Sequence, residues 1–435
     1  MAEVKPFHGV RYNKAIVRDM SDVICPPYDI ITTQMEGELY RRSPYNFIRI
    51  EHERKLPQDS TMDNKYTRSA NTLEEWLKQK VLVADEKPAI YVHDQYFISG
   101  GKEYKRRCLL TRVRLEEWHS NIVRPHEGTL ADAKSDRISL LWALRANTSP
   151  ILSMFEDPEQ RVSSLVNASL PGKPIINIDG YHVERHKVWA ITDPQIIEEI
   201  GSLFADKPLY IADGHHRYES ALTYQREQRT VCSKAAEDSA FNYTLMSLVD
   251  FDDPGLVILP PHRLIRGMPP ANLEGLGEKL KTFFDVEEMP LSLPNVWKRV
   301  DKLLADESEI RLFLFGLDND NLLLLTLRDF AAASKMMPYF HSELYKKLDV
   351  SVVDHVILEE LLGLNSEDEV KISYNYDCRD AVKQVQRQEH QLAFIISPIN
   401  SRKIKEISDA GDRMPRKSTY FYPKLPSGLV LNRLV

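Results

Sequence analysis

Cysteine is scarce: four in 435 residues (Cys25, Cys108, Cys232 and Cys378), far apart and with no CxxC pair. That excludes a disulfide frame and a cysteine-based zinc site, and reads as reduced thiols in a cytoplasmic protein. Long apolar runs are missing too. Residues 322–327 and 392–397 are the most apolar stretches, far short of the ~20 residues a membrane helix needs. The start, Met1-Ala2-Glu3-Val4-Lys5-Pro6, lacks the apolar stretch of a signal peptide. An excess of positive charge is absent. Lys plus Arg total 57 against 64 Asp plus Glu, a net −7, which argues against whole-chain attraction to nucleic acid or to an anionic membrane. With 17 glycines and 25 prolines, the chain is neither collagen-like nor disordered. It also has no GxxxxGK[ST], no GxGxxG after a strand, no HExxH and no GxSxG. A standard P-loop kinase, a dehydrogenase and a zincin are thereby excluded.

What remains is an ordinary globular composition, 43% hydrophobic and 28% charged, at a length that suggests two or three domains. Helix and strand patterns alternate, which predicts a mixed α/β fold. Residues 64–79 carry Leu73, Trp76 and Leu77 at helical spacing. Residues 89–115 read as a hairpin around Ser99-Gly100-Gly101. A helix over 137–145 precedes a strand at 150–155, and a second strand pair follows at 175–178 and 182–191. After a helix over 194–204, a short strand, Leu209-Tyr210-Ile211-Ala212, leads straight into Asp213-Gly214-His215-His216-Arg217 and a further helix. The later part reads as helices over 272–284, 294–305 and 329–363, with a hairpin near Asn319. Prolines at 260, 261, 269 and 270 suit a linker, so domains are expected at 1–268 and 269–435, the second an α/β domain placed to close over the site.

The stretch from Asp213 to Arg217 is the most informative. Helix N-termini present backbone N–H groups and the positive end of the dipole, which suits an anion. Gly214 allows close backbone approach to a phosphate and Arg217 can fork two oxygens. His215 and His216 can donate, and Asp213 can fix an imidazole tautomer or ligate a metal. The same residues also read as a capped helix with Asp213 as N-cap. The second candidate is Arg124-Pro125-His126-Glu127-Gly128-Thr129, where Glu127 is a candidate base and Asp136-Arg137 candidate orienting groups; a proline-stiffened loop with solvated charges is the alternative. Cys25-Pro26-Pro27-Tyr28-Asp29 reads as a rigid turn carrying a carboxylate. Pro261-His262-Arg263 and Met414-Pro415-Arg416-Lys417-Ser418-Thr419 each suit a phosphate contact or a polar turn.

Taken in order, Pro26-Pro27-Tyr28-Asp29, Pro125-His126-Glu127-Gly128-Thr129, Ala212-Asp213-Gly214-His215-His216-Arg217-Tyr218, Pro261-His262-Arg263 and Lys417-Ser418-Thr419-Tyr420-Phe421 resemble the uncharacterised bacterial and archaeal family known as domain of unknown function 1015. The resemblance covers almost the whole chain. Locally, the Asp-Gly-His-His-Arg stretch is similar to the phosphate-binding turn of the ParB/sulfiredoxin superfamily. Sulfiredoxin's cysteine and ParB's glutamate are both replaced here by histidine, and the Asp-Gly-His-x-Arg form resembles the free serine kinases.

The resemblance implies a ParB/sulfiredoxin-like nucleotide-binding core and a phosphotransferase acting between ADP or ATP and a small hydroxylated metabolite, serine or O-phosphoserine. On this expectation Gly214, His215, His216, Arg217, His262, Arg263, Lys417, Ser418 and Thr419 bind the nucleotide. Arg217 and His216 neutralise transition-state charge. Glu127 takes the hydroxyl proton, held by Arg137 or His126, and Mg²⁺ bridges phosphates through Asp213 or Asp29. Two alternatives stand beside it: a nucleotide-gated regulatory protein binding CTP or ATP without turnover, and a metal-dependent phosphatase built on His126, Glu127, Asp213 and His215. No nucleic-acid or membrane partner is expected, and the oligomeric state is left open.

Overall fold

A computed structural model describes residues 2–129, 131–181, 183–232 and 236–434. The fold is mixed α/β, as the alternating pattern predicts, and the chain divides into two compact units. One comprises Met1–Pro125, Thr129–Val257 and Pro423–Val435; the other comprises His126–Gly128 and Ile258–Tyr422. The main crossing therefore falls ahead of the 268/269 boundary read from the prolines. The reason is local: His262–Ile265, just past Pro260-Pro261, is already a strand of the second unit's sheet. The tail returns to the first unit because it is apolar. Leu425, Leu429, Val430, Leu431 and Leu434 are buried, and Val10 and Leu431 exchange backbone hydrogen bonds at 2.9 and 2.8 Å.

The first unit is built on a mixed sheet with nine strands among the described residues. Its order runs Val123–Arg124, Leu209–Asp213, Ile151–Phe155, Tyr243–Asp250, Lys102–Arg114, Ile90–Ser99, Glu184–Ile191 and Ile176–Tyr181, with Val4–Lys5 alongside Lys102–Arg114. Two neighbouring pairs are parallel, Leu209–Asp213 with Val123–Arg124 and Tyr243–Asp250 with Ile151–Phe155. The long hairpin closes where it was expected, with Ser99 paired to Lys102 across Gly100 and Gly101 at φ +56° and +77°. Two successive positive φ angles are what a tight hairpin turn demands of those positions. The strand pair Ile176–Tyr181 and Glu184–Ile191 is antiparallel; His182, where the second of these strands was expected to begin, lies outside the described residues.

The second unit carries a six-stranded antiparallel sheet ordered Phe284–Pro290, Asn321–Leu327, Arg311–Phe315, Leu392–Ile395, His262–Ile265 and Ile372–Asn375. Helices Val296–Leu304 and Cys378–Gln386 cover it, and Val300, Leu304, Phe313, Leu324, Val382 and Ile395 share one core. The single helix expected over 329–363 is instead broken into Phe330–Lys335, Glu343–Lys346, Asp349–Ser351 and a π-helical stretch Val352–Leu361. Pro338 cannot donate within a helix, and Ser342 restarts one by accepting from the Tyr345 N–H at 3.2 Å. Among the described residues no helix is long and apolar enough to cross a membrane.

Candidate active site

In the first unit, the strand Leu209–Asp213 buries Leu209, Tyr210, Ile211 and Ala212 and delivers Asp213 at its end. Gly214 then turns the chain at φ +98° into the helix His215–Val231, and as a glycine it has no capping side chain of its own. The helix is pinned one turn in by Tyr218, fully buried, whose hydroxyl donates to the Glu116 carbonyl at 2.8 Å and accepts the Glu116 N–H at 2.9 Å. Burying such a side chain contributes about 1.5–3 kcal/mol, so the helix start has little freedom to shift.

Arg217 folds back over the turn. Its Nη2 donates to Asp213 Oδ2 and its Nη1 to the Pro150 carbonyl, each at 2.6 Å. Its Nε is buried with no hydrogen-bond partner among the described residues. The other oxygen of Asp213, Oδ1, takes an ion pair from Lys424, whose Nζ stands 3.8 Å from Asp29 Oδ2. Burial pushes the Asp213 carboxyl up, but Lys424, Arg217 and His215 together outweigh it and hold the group well below the usual carboxylate range. His215 is buried and His216 partly so. The structure thus holds Asp213, Gly214, His215, His216, Arg217 and Asp29 in one unit, together with Lys424.

Behind this turn lies a second charged layer. Arg137 is buried and engages Asp136, Glu51 Oε1 at 3.4 Å and the face of Tyr28 at 3.9 Å. Burial raises the Asp136 carboxyl, yet Arg137 and Lys65 overcome it and keep the group ionised. The Tyr28 hydroxyl is pushed up to about 12 by burial, with Arg137 and Arg217 pulling the other way. Glu51, Arg137, Ser149 and Arg217 line a cavity of about 40 Å³, room for a water molecule. Arg137, expected to hold Glu127, is thus occupied by Glu51 and Asp136.

In the second unit, His126, Glu127, Lys417, Ser418 and Thr419 come together although nearly 300 positions separate them in the chain. His126 is fully buried, with Nε2 3.0 Å from Thr419 Oγ1, and its carbonyl accepts from Met414 at 2.8 Å. Glu127 Oε1 accepts the backbone N–H of Lys417 at 2.9 Å, and Ser418 Oγ donates to the Pro415 carbonyl at 2.6 Å.

Two expectations are corrected in that unit. Arg263, expected as a phosphate contact, is 1% exposed and forks onto Asp354 at 3.0 and 3.1 Å while Nη1 donates to the Pro261 carbonyl. His262 is buried beside it, its Nδ1 accepting the Ile396 N–H at 3.2 Å, and burial with the Arg263 charge lowers the ring to about 3, so it is neutral. Both are structural: Arg263 fastens the sheet to the π-helical stretch that carries Asp354.

A third correction concerns the metal. Asp213 and Asp29, either of which was expected to hold a phosphate-bridging Mg²⁺, have the Lys424 ammonium between them. Among the described residues no three His, Cys, Asp or Glu side chains are grouped to hold an ion. A donor pair already neutralised by an ammonium does not fit a resident divalent cation, which asks for several free oxygens.

Fold and site thus define a two-unit mixed α/β protein with a positively flanked Asp-Gly-His-His-Arg turn. The chain belongs to the family described as "Protein of unknown function (DUF1015)", which matches residues 4–351. No curated protein matches it. Among solved structures it is similar to a free serine kinase in complex with AMP, at 13% identity over 74% of this chain and 92% of that one, TM-score 0.35. A conserved hypothetical protein from Pyrococcus furiosus shares 13% identity over 75% and 95%, TM-score 0.34. SbnI with C-terminal truncation from Staphylococcus aureus shares 12% over 73% and 84%, TM-score 0.33. Likeness of this strength leaves the functional reading to the site itself.

Lys424 was missed by sequence reasoning. Its signal is a cation set between two prolines, Pro423-Lys424-Leu425-Pro426, in a mostly apolar tail.

Proposed function

We propose that this protein is a phosphotransferase that moves a phosphoryl group between ADP or ATP and a small hydroxylated metabolite, with serine and O-phosphoserine as the exchanged pair, on a ParB/sulfiredoxin-like core. The observation that carries the reading is the turn from Asp213 to Arg217: a positive-φ glycine at a helix start, flanked by Arg217 and Lys424 on one largely buried carboxylate. Phosphoryl transfer asks a protein mainly for positioning and for charge around the moving group. Gly214 lets phosphate oxygens approach the backbone, and Arg217, Lys424 and His216 stabilise the charge that develops on them. Asp213 acts by holding the two cations in place. Any Mg²⁺ arrives on the nucleotide as part of the substrate.

In the transfer the hydroxyl oxygen bonds to phosphorus as the bond to the nucleotide's leaving oxygen breaks, and the hydroxyl proton passes to a carboxylate. Asp29, 3.8 Å from Lys424 Nζ in the same unit, is the candidate acceptor, and Asp29→Asn tests it. The test of the assignment is incubation of the purified protein with O-phosphoserine and Mg²⁺, with and without ADP. ATP formed only when ADP is present supports it. Free phosphate without nucleotide, or no turnover in either reaction, overturns it.

A further inference from the structure

Lys424 reaches Asp213 from a tail whose backbone is gripped, at that residue, by buried polar side chains of the first unit's sheet. Arg106 Nη2 donates to the Pro423 carbonyl at 2.6 Å and to Gln95 Oε1 at 2.5 Å. Gln95 Nε2 in turn donates to the Lys424 carbonyl at 3.3 Å and to Glu184 Oε2 at 2.6 Å. Arg106 and Gln95 are 0% and 1% exposed and face each other across the long hairpin, while His186 sits opposite Gln95 on the next strand. A guanidinium is costly to bury unless its donors are used. Here Arg106 spends a donor on the peptide that precedes Lys424, and its neighbour binds the peptide that follows. A core needing only stability would be served as well by apolar residues at these positions.

We infer that Gln95 and Arg106 are positioning residues for Lys424, fixing the two carbonyls that flank it so that its ammonium meets Asp213. The consequence for catalysis rests on the phosphotransferase reading above; the placement of Lys424 does not. Burial raises the Glu184 carboxyl to about 7, against the hydrogen bond from Gln95 and the charge of Arg106, so the network also contains a group that is partly neutral near physiological pH.

The experiment measures acetylation of Lys424 by acetic anhydride, read peptide by peptide by mass spectrometry, in the full-length chain and in Gln95→Met, Arg106→Met and Arg106→Lys. Lys207 is the internal control, since it lies in the same unit and its Nζ donates to the Glu156 carbonyl at 2.6 Å, away from the network. The expected result is that Gln95→Met and Arg106→Met raise the Lys424 rate several-fold with Lys207 unchanged, and that Arg106→Lys, which keeps one donor, restores most of the protection. Equal rises at both lysines would mark general loosening and overturn the inference, as would an unchanged Lys424 rate in a folded variant. Should a methionine variant fail to fold, Gln95→Glu, close in size but without the amide donors, is expected to give the same selective rise, and its absence overturns the inference equally. In the phosphoserine assay the variants are expected to lose kcat by about a hundredfold with KM little changed, as displacement of a charged group by ~1 Å does. Selective Lys424 exposure in a protein with no turnover would leave the positioning role standing and refute the phosphotransferase alone.

Discussion

A β-carbon placed on Gly214 would lie 2.9 Å from Nε of Arg217 and 3.0 Å from its Cζ and Nη2. The glycine at the helix start and the arginine one turn on are therefore a single steric unit: Arg217 can lie over the turn only because residue 214 has no side chain. The backbone adds a second constraint, since φ at Gly214 is +98°. We predict that Gly214→Ala costs about 1–3 kcal/mol through backbone strain, read as a lower urea midpoint. It should also drive the guanidinium off Asp213, so on the proposed function nucleotide affinity falls further than the stability loss explains.

Lys424 and Asp213 make a second prediction. Burial alone would raise the Asp213 carboxyl, and Lys424, Arg217 and His215 reverse that. A carboxylate whose folded-state pKa is depressed stabilises the fold above its unfolded value, and that stability is lost as pH falls through the folded value. Lys424→Met removes the largest of these opposing charges, so the carboxyl should climb and the acid limb of the stability profile should move to higher pH. Because Arg217 still donates to Asp213, the expected loss at pH 7 is about 1–3 kcal/mol, measured by urea denaturation across pH 3–8. An acid limb that coincides with that of the parent protein would show that the ion pair contributes nothing.

How much of this was legible in the chain depends on how local each feature is. The Gly100-Gly101 turn, the strand ending at Asp213 and the helix after Gly214 follow from glycine placement and periodicity within a dozen residues, and they stand where they were read. The Asp213–Lys424 pair spans 211 positions, and no local pattern marks such a partner. Pro261-His262-Arg263 misled for a different reason: the letters are those of a phosphate loop, but Arg263 is buried against Asp354, and burial at a sheet's interior position emerges only from the assembled strands. Asp213 and Asp29 likewise look like metal ligands in the chain until the ammonium paired with them is seen.

Glu184 supplies a prediction of opposite sign. Burial raises its carboxyl from 4.5 to about 7, so the folded state favours the neutral form. Its stabilising contribution is then complete below the unfolded value and lost as pH rises through about 7. The groups facing it are Gln95, His186 and Arg106. Glu184→Gln keeps an acceptor for Gln95 and cannot ionise. At pH 8 it should be more stable than the parent by as much as about 3 kcal/mol, at 1.36 kcal/mol per unit, while at pH 4.5 the two should match. Thermal melts at both values decide it.

The layer behind the turn is expected to be unforgiving of single changes. Arg137, 7% exposed, lies between Glu51 and Asp136, and Glu51 is 1% exposed. Arg137→Met leaves Glu51 buried with, among the described residues, only the Ser149 hydroxyl on Oε1. Breaking such a pair from one side costs about 3–5 kcal/mol. Adding Glu51→Gln removes the stranded charge, so the double variant should recover part of that loss. Strict additivity in the double-mutant cycle would mean that the two residues are not coupled.

Arg217 offers the sharpest test of the proposed chemistry, because its structural and chemical roles can be separated. In the fold it bridges Asp213 to the Pro150 carbonyl; in the proposed reaction it stabilises charge on the moving phosphoryl group. Arg217→Ala loses both, so its expected drop in turnover, about a thousandfold or more by analogy with other arginines that stabilise phosphoryl transfer, would be ambiguous by itself. Arg217→Lys keeps the charge and one donor to Asp213 but not the fork. If the fork serves the transition state, the lysine variant should fold with near-normal stability and bind nucleotide within a few-fold of the parent, yet recover little of the lost kcat. Recovery of most of the rate by lysine would show that only the charge matters. Loss of nucleotide binding together with loss of stability in both variants would reduce Arg217 to a strut for the turn and remove the residue on which the reaction was argued.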